Sequence, residues 1–212
     1  MRYNDDAVLE SHHLSSAFSC LLQPQHHFAA EWDRDAYMAF RRLVTKLVLM
    51  TDLSKHFEFT ANLEREGARL RSASVSVTAP GNDGFGMPSS VGGDGGSAAL
   101  LLTVALKHAD LGHSVKPWAL HYRWSVKVTM EFFALGDCER AAAVPISPFC
   151  DRYKDTDLGR SQCGFLRFVC RPFYEAVAHA LPGRFSIDAL ERLDANLGQW
   201  AEYDGACSHA PQ

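Results

Sequence analysis

The clearest pattern in the chain runs from Asp35 to Met50. Tyr37, Phe40, Leu43, Val44, Leu47 and Val48 recur at three- and four-residue steps, with Arg41, Arg42 and Lys46 on the opposite side, which predicts an amphipathic helix. Residues 1–22 repeat the pattern more loosely, with Val8, Leu9, His12, His13, Phe18, Leu21 and Leu22 close to one side. They read as a helix entered from the first residue. Thr51 and Asp52 interrupt the second helix, and Ser54 to Arg71 continues as helix rich in charge. Ser97 is a suitable cap for an apolar helix from Ala98 to Ala109, with Asp110 at its C-terminal end. Pro117 has the fixed φ that suits a first turn, and a helix to Leu135 follows. Ser161 to Leu181 is helical up to Pro182-Gly183, with Pro172 predicting a kink or break near Cys170 and Arg171. Ser186 opens a last helix in which Ile187, Leu190, Leu193, Leu197 and Trp200 recur at helical steps.

Two stretches lack this periodicity. Residues 72–97 hold seven of the fifteen glycines with many Ser, Thr and Pro, and read as a Gly/Ser-rich solvated insertion. Val144 to Arg160 carries two prolines and several charges and reads as a loop. Alternation is confined to a short run, Ala73 to Thr78. The fold class is therefore all-α, without an internal repeat or a clear second domain.

Composition narrows the partners. The chain of 212 residues is 47% hydrophobic, which suits one large domain or a piece of one. A net charge of −4, without a basic patch interleaved with aromatics, argues against nucleic acid. The apolar run Ala98 to Leu106 is far shorter than the roughly 20 residues of a membrane span. The N-terminus has no secretory pattern. Six cysteines at 20, 138, 150, 163, 170 and 207, without a CxxC pair, read as reduced thiols of a cytoplasmic protein.

Candidate chemistry gathers between Lys107 and Asp137. Asp110 sits at a helix–helix corner among Trp118, Tyr122 and Trp124. A carboxylate there either caps the next element or binds something positive. His12 and His13 are adjacent, so on a helix they point about 100° apart and do not readily share one ion; a buried, hydrogen-bonded histidine is the expectation for them.

The block Lys107-His108-Ala109-Asp110-Leu111-Gly112-His113, with His121-Tyr122-Arg123-Trp124, Glu131-Phe132-Phe133 and Gly136-Asp137, resembles the signature of the class I cyclic-nucleotide phosphodiesterases. The likeness extends to Tyr3-Asn4-Asp5, Val8-Leu9-Glu10-Ser11-His12-His13, Thr51-Asp52-Leu53-Ser54-Lys55-His56-Phe57, Ser147-Pro148-Phe149-Cys150-Asp151-Arg152 and Ser161-Gln162-Cys163-Gly164-Phe165, in the family's order and spacing. It covers most of the chain from Tyr3 to about Trp200. The resemblance implies a compact multi-helix catalytic domain of the HD type and hydrolysis of 3′,5′-cyclic nucleotides to 5′-nucleotides with two divalent metals, zinc and magnesium or manganese. By resemblance Asp110 is a metal ligand, Glu10 orients metal-bound water and Thr51 lies beneath that water shell. Gln162 resembles the purine-selective glutamine and Phe165 the ring that stacks on the base. Three residues apart on a helix, these two share a face, and an amide offers both a donor and an acceptor. Trp124, Val128 and Phe132 lie on a facing helix at four-residue steps, and His113 and His121 fall where members contact or border the nucleotide. His113 and the following His-Tyr-Arg-Trp look closest to the calcium/calmodulin-dependent, dual-specificity branch, which implies both cyclic AMP and cyclic GMP as substrates. A homodimer is a further partner expectation.

Other features depart from the family pattern. Gly112, Ser114 and Met130 replace its usual residues. The sequence has no His-Asp dipeptide and no Tyr-His-Asn, the segments that supply the family's other metal ligands and its general acid. The expectation is a partial catalytic domain over 1–203 and a tail over 204–212, inactive in isolation. The alternative is a catalytically inactive fragment that binds nucleotide or protein.

Overall fold

The computed structural model describes residues 3–75 and 95–204. All regular elements among them are helical, as the periodicity requires. They are α1 (Val8–Leu21), α2 (Arg34–Leu49), α3 (His56–Val75), α4 (Gly95–Asp110), α5 (Trp118–Ala141), α6 (Leu158–Gly164), a π-helix (Phe165–Cys170), α7 (Arg171–Ala180) and α8 (Arg184–Asp204). Short 3-10 turns occupy Leu53–Lys55 and Gly112–Val115. Among the described residues no helix is long and apolar enough to cross a membrane.

The boundaries differ from the sequence reading in instructive places. α1 begins at Val8 because Asn4, Asp5 and Ala7 have φ of 54°, 58° and 43°, a left-handed backbone that turns the chain before the helix starts. α4 begins at Gly95, so Ser97 lies inside its first turn rather than at the position before it. Of the 72–97 insertion, residues 76–94 lie outside the described residues, and its two ends are helical. Residues 73–75 of the short alternating run belong to α3. Residues 205–212 of the tail also lie outside the described residues.

Pro172 acts as its chemistry dictates. It has no N–H to offer the carbonyl one turn back, and its ring crowds that carbonyl. The helix does not break. It widens into the π-helix and restarts as α7, where Pro172 occupies the first turn and needs no donor.

The chain divides into two compact units, residues 1–110 and 111–212. In the first, α1 packs on α2, and α2 and α3 pack on α4. Leu63, Phe59, Val104, Phe18 and Ala29 form its buried apolar set among the described residues. α2 has no buried residue in spite of its pattern. Its Phe40 instead meets Phe18, Phe28 and Trp32 edge-on, with centroids 6.3, 5.8 and 5.5 Å apart. α1 buries only Phe18. His12 and His13 are consequently exposed, against the expectation of a buried histidine, and His12 shares a 3.1 Å hydrogen bond with the Tyr3 hydroxyl.

In the second unit, α6 and α7 pack on α8, and α5 packs on α6 and α8. Leu166, Phe173, Tyr174, Val177, Leu193 and Trp200 are its core. The connection after α5 is pinned back onto that helix by Arg140 to Asp151 (2.7 Å), by Arg152 to Asp137 and by Glu139 accepting from the Ser147 amide (2.8 Å). Cys20, Cys138, Cys150 and Cys170 are free thiols.

Candidate functional site

The sequence-nominated residues divide between the two units, and each unit is described by itself. In the first, Asp110 ends α4 and keeps an exposed edge. Partial desolvation raises its carboxyl pKa; the Lys107 charge works against that, the Glu10 charge adds to it and His13 opposes it. Glu10, half-buried on α1, is thus within electrostatic reach of Asp110. Thr51 is half-buried just beyond α2, and its hydroxyl donates to the Val48 carbonyl at 2.7 Å. That hydroxyl proton is committed to its own helix end, and only the lone pairs remain for another partner. Asp52 accepts from the Ser54 amide at 2.8 Å. Burial pushes Asp52 up, but the Ser54 hydrogen bonds and the charges of Lys55 and Lys107 outweigh it and hold the carboxyl below its usual value.

The second unit assembles a tighter group. Asn196 of α8 donates to the carbonyls of Ser114 (2.8 Å) and Lys116 (2.9 Å), which anchors the 3-10 turn carrying His113. Ser114 donates back to Leu111 at 2.7 Å, and the Tyr174 hydroxyl reaches the same carbonyl at 3.4 Å. On this anchored turn His113 stacks between two rings. Phe165 lies 5.8 Å away at 4° and His121 lies 5.2 Å away at 13°. Behind them Trp200 Nε1 donates to His121 Nε2 at 2.8 Å. Nε2 therefore accepts, and the ring proton is assigned to Nδ1, which faces the His113 carbonyl at 3.1 Å and His113 Nδ1 at 3.2 Å.

Burial first and the His113 charge next hold His121 neutral, with a pKa lowered to about 4 against the opposing hydrogen bond that its Nδ1–H donates to the His113 carbonyl. Burial lowers His113 as well. The sign of the pH effect follows. Above about 6.5 His121 is neutral whether the chain is folded or unfolded. As pH falls from there toward 4 the unfolded chain takes up a proton that the folded one refuses, so stability drops by up to about 3 kcal/mol from this group. Urea unfolding followed across this range is expected to show that decline, and a His121→Gln variant is expected to flatten it.

Gln162 is buried on α6, and its amide carbonyl accepts from the Ser125 hydroxyl on α5 at 2.9 Å. This fixes which end of the amide faces the helix and leaves its NH₂ directed elsewhere. Phe165 follows as the first residue of the π-helix. Trp124, Val128 and Phe132 occupy successive turns of α5; Trp124 and Phe132 are 49% and 42% exposed, so they present rings to solvent rather than to a core. Ser125 and Trp200 escaped the sequence reading as site residues. A lone serine within a helix has no periodic signature, and Trp200 fitted the core stripe of α8 so well that its N–H went unconsidered.

A model of the 3′5′-cyclic nucleotide phosphodiesterase family matches residues 1–188. The chain belongs to this family. It is 30% identical over 199 residues to the dual 3′,5′-cyclic-AMP and -GMP phosphodiesterase beta of Plasmodium falciparum, covering 93% of this chain and 16% of that protein. It is 32% identical over 173 residues to the dual specificity calcium/calmodulin-dependent 3′,5′-cyclic nucleotide phosphodiesterase 1C of Mus musculus, covering 81% of this chain and 21% of that one. The phosphodiesterase domain of the Salpingoeca rosetta rhodopsin phosphodiesterase superposes with a TM-score of 0.77 at 27% identity, over 96% of this chain and 56% of that domain. The chain thus spans about a sixth to a fifth of those two curated relatives.

The family implies dependence on divalent metal in general. The described residues do not fit a pair of such ions. Among the described residues no group of three or more His, Cys, Asp or Glu side chains is arranged to hold a metal. Asp110 has one carboxylate and one imidazole in electrostatic reach, together with a lysine, and a divalent site needs a fuller set of oxygen or nitrogen donors.

Proposed function

We propose that this chain takes part in the hydrolysis of 3′,5′-cyclic nucleotides to 5′-nucleotides, and that residues 111–204 hold the purine. In the overall reaction water adds its oxygen to phosphorus, the P–O3′ bond breaks and the proton ends on O3′. The observation that carries the reading is the buried Gln162 amide, fixed through its carbonyl by Ser125 and next to the Phe165 ring on the same helical path. A planar base needs both parts: an amide that pairs with its edge and a ring that covers its face. One relative named as a dual cyclic-AMP and -GMP phosphodiesterase and another named as a dual specificity cyclic nucleotide phosphodiesterase support both purines as substrates. His113 stacks against Phe165 and extends the ring surface offered to the base, and His121 with Trp200 keeps the His113 turn in place.

A second reading has its own support. Because the donors among the described residues do not fit two metal ions, this second reading has the chain bind cyclic nucleotide without hydrolysing it. Calorimetric titration with cyclic AMP and cyclic GMP tests the nucleotide reading, and product release tests the hydrolytic one. Binding is expected in the wild type. Phe165→Ala is expected to weaken it roughly ten- to a hundredfold, the range of base–aromatic stacking, and Gln162→Ala to weaken both nucleotides. Unchanged affinity in both variants sinks the proposed base site. Hydrolysis that Asp110→Ala abolishes sinks the second reading.

A further inference from the structure

His121 is 0% exposed on α5, and both of its ring nitrogens are engaged inside the second unit. The indole of Trp200 can only donate, so Nε2 accepts from it at 2.8 Å. The His113 carbonyl can only accept, so the Nδ1 proton points to it at 3.1 Å. The two partners require the same tautomer, and neither can reverse its role. His121, which the resemblance places at the nucleotide, therefore has no nitrogen left for one.

The consequence falls on His113. Its Nδ1 lies 3.2 Å from the His121 Nδ1 that carries hydrogen. Each N–H bond takes about 1 Å of such a gap, so two hydrogens facing each other across it would collide. His113 Nδ1 is therefore bare and accepts. Burial lowers the His113 pKa and favours the neutral ring. A neutral imidazole holds one proton, and here it sits on Nε2.

We propose that His121 is a positioning residue that sets the hydrogen-bonding polarity of His113: with its own proton locked on Nδ1, it confines the His113 proton to Nε2, and His113 meets substrate as a donor. The ring so polarised lies parallel to Phe165, at 4° and 5.8 Å between centres. The substrate atom it takes is an acceptor, a bare ring nitrogen or a carbonyl oxygen, and not an exocyclic amine. Adenine and guanine both carry such acceptors, so one fixed donor serves both purines. The substrate part rests on the base-site reading above; the proton arrangement of the two histidines does not.

The test is NMR of the imidazole nitrogens in the full chain, with isotopically labelled histidine and the pH held at about 7.5, above the ordinary histidine range. In the wild type His121 is expected as the Nδ1–H tautomer and His113 as the Nε2–H tautomer, with a scalar coupling between the two Nδ1 nitrogens through the shared hydrogen. His121→Asn keeps an N–H donor on a short side chain and is expected to leave the His113 proton on Nε2. His121→Asp puts an acceptor there and is expected to bring a proton onto His113 Nδ1. A wild-type His113 that carries hydrogen on Nδ1, or that exchanges between tautomers, overturns the proposal, as does a folded His121→Asp variant whose His113 Nδ1 stays bare. Should that variant not fold, the wild-type coupling decides: its presence upholds the proposal and its absence overturns it. Titration with cyclic AMP and cyclic GMP reads the donor itself. His113→Phe keeps a ring against Phe165 and drops the N–H, and is expected to weaken both nucleotides about three- to tenfold; unchanged affinity overturns the donor role. A wild type that binds neither nucleotide sinks the base-site reading instead, and the nitrogen signals still decide which ring carries which proton.

Discussion

Trp200→Ala is expected to lower the unfolding free energy by about 3–5 kcal/mol, the range for deleting a large buried aromatic. The side chain is 0% exposed and packs edge-on to Trp118 at 4.9 Å and close to Tyr122 at 5.7 Å. Its loss leaves a cavity and also leaves His121 Nε2 without its donor, a buried acceptor that no longer has a partner. Trp200→Phe separates the two contributions. It keeps most of the volume and drops the N–H, so it is expected to cost about 1–3 kcal/mol. Urea unfolding of both variants measures this, and a loss under about 1 kcal/mol for the alanine variant shows that the core closes over the gap.

The second large effect runs against a common rule. Glycine to alanine within a helix usually stabilises by about 0.5–1 kcal/mol. Gly136→Ala in α5 is expected to do the opposite, by about 3 kcal/mol or more. A Cβ there would lie 1.9 Å from the Cys150 carbonyl oxygen and 2.7 Å from its carbon. Both are backbone atoms, so no rotamer change relieves the overlap. The connection from Ala142 to Asp157 would have to lift away, taking with it the Arg140–Asp151 and Arg152–Asp137 pairs. Gly198→Ala is the control, because nothing lies within 4 Å of its added carbon; it is expected to be neutral or stabilising. If the two variants melt alike, the close approach of α5 to Cys150 is wrong.

Much of the helical framework was legible in the sequence because it follows from periodicity and from proline. The α2 stripe, the α8 stripe and the discontinuity at Pro172 each reflect a local rule. What periodicity omits is how much neighbouring surface covers a face. α1 and α2 show this: both patterns are apolar on one side, yet α1 buries only Phe18 and α2 buries nothing. The candidate site divides in the same way. Gln162, Phe165, His113 and His121 were nominated by motif, and their mutual stacking and the Trp200 contact came only with the fold. Ser125 had no motif to announce it. Lys107 stood in plain view within the nominated block, but sequence alone does not say that a lysine is buried.

The wide turn between Gln162 and Tyr174 has a consequence for chain length. An α-helix advances about 100° per residue, and a π segment accommodates one residue more per turn than that rhythm allows. The helix that carries Gln162 and the helix that carries Phe173 and Tyr174 are therefore out of phase with one another, and Phe165–Cys170 is the spacer that keeps them so. Removing any one residue from the spacer would restore a regular ladder and rotate α6 by about a quarter-turn against α7. The core anchors would stay buried while the amide swung off Ser125. In this segment the number of residues is under as tight a constraint as their identity.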